Sequence, residues 1–265
     1  MLSIVLATHN EELNLKKCLQ AIKIVADEIV IVDGESSDST LAIAQSFSAK
    51  IISTTNKQNF HINKQMAIDA AQGDLILQLD ADEIVDDDLS NFIKKIHADF
   101  LSKKYKLTNT EPVAWWIPRK NFFLGSFLSK GGQYPDPVIR LFLKGRASLP
   151  QKDVHEQMVV VGKIGWAEGH LLHYSNPSLS DYLRKFNTYT SFKAAQLKSS
   201  KTKVSLVNSF KYLVIFPSVT FLSLYFRHKG FVDGLPGFLF AAFSGFHHSV
   251  AYIKLWESYQ EKKSL

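Results

Sequence analysis

The first eighty residues alternate between short apolar runs and segments with helical spacing, and this alternation limits the possible folds more than any other feature. The apolar runs predict strands over residues 2–7, 28–33, 51–53 and 75–79. Helices are predicted between them, the first of which has Leu15, Leu19 and Ile22 on one face and Asn10 as its N-cap. A repeated strand–helix–strand order indicates parallel βαβ units. We therefore predict an α/β fold with a parallel sheet and flanking helices.

Polar side chains follow three of these predicted strands at the point where each strand ends. They are Thr8, Asp33 and the pair Asp80 and Asp82. In open parallel sheets, ligands bind outside the carboxyl ends of the strands, so these groups are expected to line one crevice. The alternative is that they are unrelated turn residues, because turns also favour Asp and Ser.

The densest group of carboxylates, Asp80, Asp82 and Glu83, follows the apolar run Leu75–Leu79 directly. Negative charge at the end of a buried strand is costly unless a positive group binds there. Oxygen ligands suit Mg²⁺ or Mn²⁺, which often share them with substrate phosphates. The simpler interpretation is a solvated acidic turn before a helix that begins near Asp86. The glycine-rich loops of dinucleotide sites and phosphate-binding loops do not occur after the first strand.

Three segments in order, Ser3–Glu12, Val32–Thr40 and Leu79–Glu83, resemble the successive motifs of family-2 glycosyltransferases with the GT-A fold. The resemblance covers roughly the first 190 residues. It implies a Rossmann-like mixed, mostly parallel sheet with flanking helices, and an inverting transfer of a sugar from a nucleotide-diphosphate sugar. Two positions depart from the pattern: Gly34 stands where many members have a second Asp, and Lys64-Gln65 stands where many have Arg-Asn.

The resemblance also implies roles for individual residues. Thr8 and Asp33 would hold the nucleobase, Asp80 the ribose side of the sugar donor, and Asp82 the metal at the diphosphate, with His173 near the metal. The remaining residues expected to bind the sugar donor are Asn10, Glu11 and Lys64.

A His-Glu pair, His155-Glu156, follows the predicted strand Val138–Phe142. Direct displacement at the anomeric carbon requires a base for the acceptor hydroxyl, and a carboxylate suits that role. The resemblance extends to this pair and favours Glu156 as the base, with Asp153 as the rival and a surface Glu in a hairpin as the structural alternative. Residues that could contact acceptor or phosphate are Arg140, His155 and Lys185, the last on the basic face of a predicted helix.

The C-terminal part differs in character, and we predict a boundary that separates a catalytic domain, residues 1–200, from a helical extension, residues 201–265. Most of the positive charge behind the net +6 lies late: residues 184–232 hold nine Lys/Arg and no Asp/Glu. Residues 210–226 and 230–256 are apolar, but Pro217 interrupts the first and polar residues the second, so neither is a clean span of ~20 residues. Apolar helices with basic flanks favour association in the plane of an anionic membrane. Packing on the catalytic domain or a partner subunit, or a true span by residues 210–226, are the alternatives.

The segment Gly230–Gly234 and the aromatic helix after it resemble the tail of a bacterial subgroup that contains lipopolysaccharide inner-core glucosyltransferases. This resemblance implies a hexosyltransferase, acting on a lipid-linked saccharide, that lies peripherally on the cytoplasmic face of the inner membrane. Nucleic acid is not an expected partner. The rivals are a transferase that acts on polyprenyl phosphate or another envelope polysaccharide, a metal-dependent phosphohydrolase, and a non-catalytic membrane-binding scaffold.

Overall fold

A computed structural model describes residues 1–57, 59–102, 105, 110–150 and 157–260 of the chain. The strands are β1 Leu2–Thr8, β2 Glu28–Gly34, β3 Lys50–Thr54, β4 Leu75–Leu79, β5 Glu83–Val85, β6 Ala114–Ile117, β7 Arg119–Phe123, β8 Ser126–Phe127, β9 Val138–Leu143, β10 Ala147–Ser148, β11 Val159–Val160, β12 Ile164–Trp166 and β13 Leu171–Asn176. The first five helices are α1 Leu15–Ile22, α2 Thr40–Ser46, α3 Phe60–Ala70, α4 Asp87–Leu101 and α5 Leu179–Ser199. The chain divides into two compact units, Met1–Arg119 with Asp136–His173, and Lys120–Pro135 with Tyr174–Leu265. The boundary predicted at residue 200 therefore falls inside the second unit and remains a prediction about domains.

The first unit is built on a seven-stranded sheet with the order β12-β6-β9-β4-β1-β2-β3. Strands β4, β1, β2 and β3 are parallel, and the register sets Thr8 opposite Asp33. Strand β9 runs antiparallel to both β4 and β6, which makes the sheet mixed. The predicted α/β fold with a mostly parallel sheet is confirmed.

Both faces of this sheet are covered, which is why its strands are apolar almost throughout. Along β1, Ile4 and Leu6 join a core with α1 and α4, whereas Val5 joins the core on the α3 side. This alternation follows from the two-residue period of a strand. The polar strand ends are therefore left at one edge of a rigid, fully packed sheet.

Helix α1 begins at Leu15 and not after Asn10, so the predicted N-cap is wrong. Asn10 has a φ of 56°, which is left-handed and unlike the extended conformation of an N-cap residue. Its side-chain oxygen instead accepts a hydrogen bond of 2.8 Å from the N–H of Ser37. The hydrogen bond from Ser37, in the loop after β2, therefore holds Asn10 in this left-handed conformation.

The second unit consists largely of helices. The apolar helix, Leu206–Arg227, leads through a short 3₁₀ turn into the terminal helix, Gly234–Gln260. Aromatic side chains hold the terminal helix to its neighbours: Phe186 of α5 contacts Phe243, and the ring of Tyr212 stacks on Tyr252. None of the residues of the apolar helix is fully buried.

The apolar helix is continuous through Pro217, which corrects the expectation that this residue would interrupt it. The turn before it, Lys211–Ile215, is π-helical, and Pro217 lies in the first turn of the following α-helical segment. A missing N–H is tolerated at the start of an α-helical segment. Within the described residues, this is the one helix, 22 residues long, whose length and apolar composition would allow it to cross a membrane.

Candidate active site

Asp33 is held at the end of β2 by hydrogen bonds that fix its carboxylate. Its Oδ1 accepts bonds from Thr8 Oγ1 at 3.1 Å and from Ser36 Oγ at 2.6 Å, and its Oδ2 accepts one from Ser36 N at 2.9 Å. The side chain is almost fully buried. The structure thus brings Thr8 and Asp33 together, as expected for neighbouring parallel strands, and their contact with a nucleobase remains a prediction.

Asn10 and Glu11 belong to the loop after β1, which is bonded along its length to the loop after β2. The N–H of Asn10 donates to Ser36 Oγ at 2.9 Å, and the N–H of Glu11 donates to Thr40 Oγ1 at 2.7 Å. The ring Nδ1 of His9 lies 2.6 Å from the carbonyl oxygen of Gly34. These bonds join the loop after β1 to the loop after β2 next to Asp33.

Asp80 lies in a cluster of buried charges at the end of β4. Its carboxylate pairs with Lys64 of α3, and its Oδ2 lies 2.5 Å from Arg140 Nη2. Glu83, whose side chain is fully buried, accepts from Arg140 at 2.9 Å and from Arg119 at 3.3 Å. A second oxygen of Glu83 accepts from the N–H of Asp80 at 3.0 Å. Buried charges of both signs therefore compensate one another next to the strand end.

Arg140 is a component of this cluster, and its contact with an acceptor or phosphate remains a prediction. Its guanidinium is buried and also donates to the side chain of Gln78. The positive charge that would attract an acceptor phosphate is paired with the carboxylates of Asp80 and Glu83. The geometry therefore gives Arg140 the role of orienting Asp80 and Glu83.

The same charges determine the protonation of Asp80 and Lys64. Burial alone would raise the pKa of Asp80, but the positive charges of Arg140 and Lys64 outweigh it and hold that pKa well below its usual range. Burial lowers the pKa of Lys64, and Arg140 acts in the same direction, although Asp80 opposes the change. The charges of Arg140 and Lys64 therefore favour the ionised form of Asp80.

This depressed pKa predicts a dependence of stability on pH. Between about pH 5 and pH 3 the unfolded chain takes up a proton at residue 80 that the folded chain does not, so the free energy of unfolding must fall as the pH falls. We expect Asp80→Asn to reduce this loss of stability between pH 7 and pH 3 by about 1 kcal/mol in urea titrations. The exposed Asp88→Asn serves as the control. Parallel pH curves for wild type and Asp80→Asn would contradict the assignment.

Asp82 and His173 form the second polar pair at this edge. Asp82 Oδ2 lies 3.4 Å from His173 Nε2, and both side chains are largely but not fully buried. Strand β13 pairs antiparallel with β5, and the register sets His173 opposite Glu83, one residue from Asp82. The structure brings Asp82 and His173 together, and their binding of a metal remains a prediction.

A carboxylate oxygen and an imidazole nitrogen are suitable ligands for a divalent transition-metal ion. In the part of the chain that the structure describes, no group of three or more His, Cys, Asp or Glu side chains is arranged to hold a metal. The protein would thus supply two ligands here, and a cation held by them would need further oxygen ligands from substrate phosphates or water. The donor set fits Mn²⁺, and fits Mg²⁺ less well because Mg²⁺ prefers oxygen throughout.

The remaining residues named from the sequence are Asp153, His155, Glu156 and Lys185. Asp153, His155 and Glu156 fall in residues 151–156, outside the described residues. Lys185 belongs to the second unit, where its Nζ donates to the carbonyl oxygen of Ser175 at 2.6 Å.

Glu83 and Arg119 are residues of the site whose roles the sequence interpretation did not identify. Arg119 bridges Glu83 to Asp136, its Nη2 lying 2.6 Å from the carboxylate of Asp136. An acidic residue in a short apolar strand such as β5 must find a cationic partner when it is buried. The sequence therefore indicates that Glu83 needs a cationic partner. It does not indicate which one, because the partners lie 36 and 57 residues further along the chain.

Comparison with known proteins decides the family. The family model described as Glycosyl transferase family 2 matches residues 3–142, which is more than half of the chain. The chain belongs to glycosyltransferase family 2. The glycosyltransferase fold of this family, GT-A, accounts for the mixed, mostly parallel sheet of the first unit.

Several relatives match this glycosyltransferase over nearly its whole length. A lipopolysaccharide core biosynthesis glycosyltransferase of Rhizobium meliloti, LpsC, is 30% identical, and the match covers 96% of this chain and 91% of that protein. An uncharacterized glycosyltransferase of Rickettsia typhi is 27% identical, with 97% and 87% covered. Among solved structures, residues 1–349 of Staphylococcus aureus TarS are similar with a TM-score of 0.45 and 13% identity, with 98% of this chain and 91% of that chain covered.

Proposed function

We propose that this glycosyltransferase is an inverting, metal-dependent hexosyltransferase that uses a nucleotide-diphosphate sugar. The observation that carries the proposal is the Asp82–His173 pair, 3.4 Å apart, beside the fixed carboxylates of Asp80 and Asp33 at one edge of the sheet. A divalent cation bound by this pair would supply positive charge that offsets the leaving diphosphate.

In the proposed reaction, the acceptor hydroxyl attacks the anomeric carbon from the side opposite the diphosphate. The new glycosidic bond forms as the bond to the diphosphate oxygen breaks, and the hydroxyl proton passes to the carboxylate of Glu156. Thr8 and Asp33 would orient the nucleobase and Asp80 the ribose. Lys64 would keep Asp80 ionised and oriented.

The acceptor is proposed to be a lipid-linked saccharide such as the inner core of lipopolysaccharide. The name of the Rhizobium meliloti relative supports this choice, as does the exposed apolar helix with its basic flanks. The sugar would be glucose. The enzyme would lie peripherally on the cytoplasmic face of the inner membrane, where that acceptor is exposed.

Isothermal calorimetry tests the proposal on the full chain. UDP-glucose and a panel of other nucleotide sugars are titrated with Mn²⁺, with Mg²⁺ and without a divalent cation. We expect one nucleotide sugar to bind tightly, and at least tenfold more tightly with Mn²⁺ than without a cation.

Binding that is equal with and without a cation would refute the metal dependence. If no nucleotide sugar bound in any condition, the protein would be better described as a non-catalytic membrane-binding scaffold. Release of phosphate from simple esters would instead identify a phosphohydrolase. Transfer to polyprenyl phosphate but not to lipid-core acceptor would retain the chemistry and replace the acceptor.

A further inference from the structure

The turn between the apolar helix and the terminal helix is fastened to a loop that precedes it by about a hundred residues. Asp233 accepts three hydrogen bonds from this loop: from Ser129 N at 3.0 Å, from Ser129 Oγ at 2.6 Å and from Lys130 N at 2.8 Å. Asp233 is the acidic residue of the Gly230–Gly234 segment, whose role the transferase chemistry does not explain. The Gly230–Gly234 segment therefore anchors the turn to residues 129 and 130 within the second unit.

Glycine allows the two backbones to meet directly. The N–H of Gly131 donates to the carbonyl oxygen of His228 at 2.9 Å, and a Cβ on Gly230 would lie 2.8 Å from the carbonyl oxygen of Leu224. Gly131 also has a φ of 65°, which other residues rarely adopt. Residues 129–132 and 227–234 therefore form one rigid element, the clasped turn.

The clasped turn exposes positive charge. Lys130, Arg227 and Lys229 are all exposed. The nearest acid in sequence, Asp233, has its carboxylate bonded by the loop, and residues 184–232 contain no other. Asp233 keeps its negative charge when it accepts these bonds, so the clasped turn, with three cations and one carboxylate, has a net charge of +2, and its cations are exposed.

Apolar side chains are exposed beside these cations. Phe226, Phe231 and Val232 each leave about half of their surface uncovered. Lone exposed apolar residues need no explanation, but three of them next to three cations form a surface with two chemistries. An anionic membrane matches both, because its phosphate headgroups attract the cations and its acyl chains accept the apolar side chains.

The apolar helix continues this surface along its length. Its residues that contact the terminal helix recur about every four positions, as Tyr212, Phe216 and Thr220 do. In a regular α-helix such a row would turn by about 40° for every four residues. The two π-helical turns, Lys211–Ile215 and Ser223–Arg227, each take up one extra residue and cancel that drift. One side of the helix therefore stays against the terminal helix, and the exposed apolar residues Phe210, Val214, Leu222 and Phe226 stay on the other.

We propose that the clasped turn is a docking surface for the phosphate headgroups of an anionic membrane, with Asp233 as the positioning residue that holds Lys130 beside Arg227 and Lys229. The proposal deepens the proposed membrane location of the enzyme and rests on it. It names the residues that meet the lipid phosphates.

Vesicle sedimentation with the full chain tests the proposal. Vesicles of phosphatidylcholine alone are compared with vesicles that contain one third phosphatidylglycerol. We expect the wild type to prefer the anionic vesicles, and the triple variant Lys130→Gln/Arg227→Gln/Lys229→Gln to bind them on the order of 100-fold more weakly. The control Lys16→Gln/Lys94→Gln/Lys95→Gln removes the same charge from exposed helix positions of the first unit and should change binding by less than about threefold.

Asp233→Ala separates positioning from net charge, because the two effects have opposite signs. If only net charge mattered, removal of a carboxylate would strengthen binding to anionic vesicles. If the loop must be held in place, the variant binds about tenfold more weakly, and Asp233→Asn, which retains one acceptor oxygen, recovers part of the loss. Thermal unfolding of each variant checks that the fold persists.

Several results would overturn the proposal. Wild-type binding by the triple variant, or equal binding of the wild type to both kinds of vesicle, would refute the docking surface. Tighter binding by Asp233→Ala would refute the positioning role. A loss of self-association without lipid in the triple variant, with vesicle binding unchanged, would instead identify a contact between two copies of the chain. Calorimetry with nucleotide sugars on the same variants reports the proposed transferase function separately.

Discussion

Replacement of Asp82 by alanine should lower sugar transfer by on the order of 10²- to 10³-fold and remove the effect of Mn²⁺ on the binding of the nucleotide sugar. The carboxylate of Asp82 is one of the two side chains that we assign to the cation, and its partner His173 lies 3.4 Å away. A single imidazole that remains is a poor site for a divalent cation at this position. Initial rates and calorimetry on the same preparations measure both effects.

His173→Ala and an exposed carboxylate provide the comparisons for that experiment. His173→Ala should lose transfer and metal dependence together, since it removes the other proposed ligand. Asp88→Ala removes a carboxylate from the exposed first turn of α4 and should retain the wild-type rate. The assignment fails if Asp82→Ala still binds the nucleotide sugar more tightly with Mn²⁺ than without it.

Replacement of Arg140 by methionine should destabilise the protein by about 3–5 kcal/mol. The change leaves Glu83, which is fully buried, with Arg119 as its remaining cationic partner at 3.3 Å, and leaves Asp80 with Lys64. An uncompensated buried charge costs more than the pair contributes when it is intact. Urea unfolding near neutral pH, followed by circular dichroism, measures the loss.

A second substitution can relieve part of this cost. Glu83→Gln/Arg140→Met removes the stranded charge together with its partner, so the double variant should be less destabilised than the sum of the two single variants. The control is Arg146→Met, at an exposed position, which should stay within about 0.5 kcal/mol of the wild type. An Arg140→Met protein as stable as the wild type would show that the cluster is not coupled as described.

Much of the fold was predictable because its elements are encoded locally. Apolar runs of five or six residues indicated β1, β2 and β4 within a residue or two, whereas α1 begins at Leu15 and not directly after Asn10. The polar strand ends were also predictable, since parallel strands end at a common edge of the sheet. The expectation at Asn10 failed because Ser36 and Ser37, some 27 residues away, bond to it.

The continuity of the apolar helix shows where local rules stop. Proline inside an apolar run predicts an interruption, and that inference treats the helix as a regular α-helix. A π-helical turn directly before Pro217 removes the conflict. No residue preference in the sequence indicates such a turn, which in the fold packs against the terminal helix through Tyr212.

The sequence by itself determined the class of fold, the edge at which the polar groups gather and membership of the glycosyltransferase family, because each depends on periodicity or on short ordered motifs. Only the tertiary structure decided what those polar groups do for one another. Lys64, Arg119 and Arg140 reach Asp80 and Glu83 from three different elements, and the register of β13 on β5 brings His173 to Asp82. Asp233 meets its loop across more than a hundred residues. Contacts of this kind depend on strand order and register, which carry no local signature in the chain, so the charge partners of a buried carboxylate can be required by the sequence but identified only in the fold.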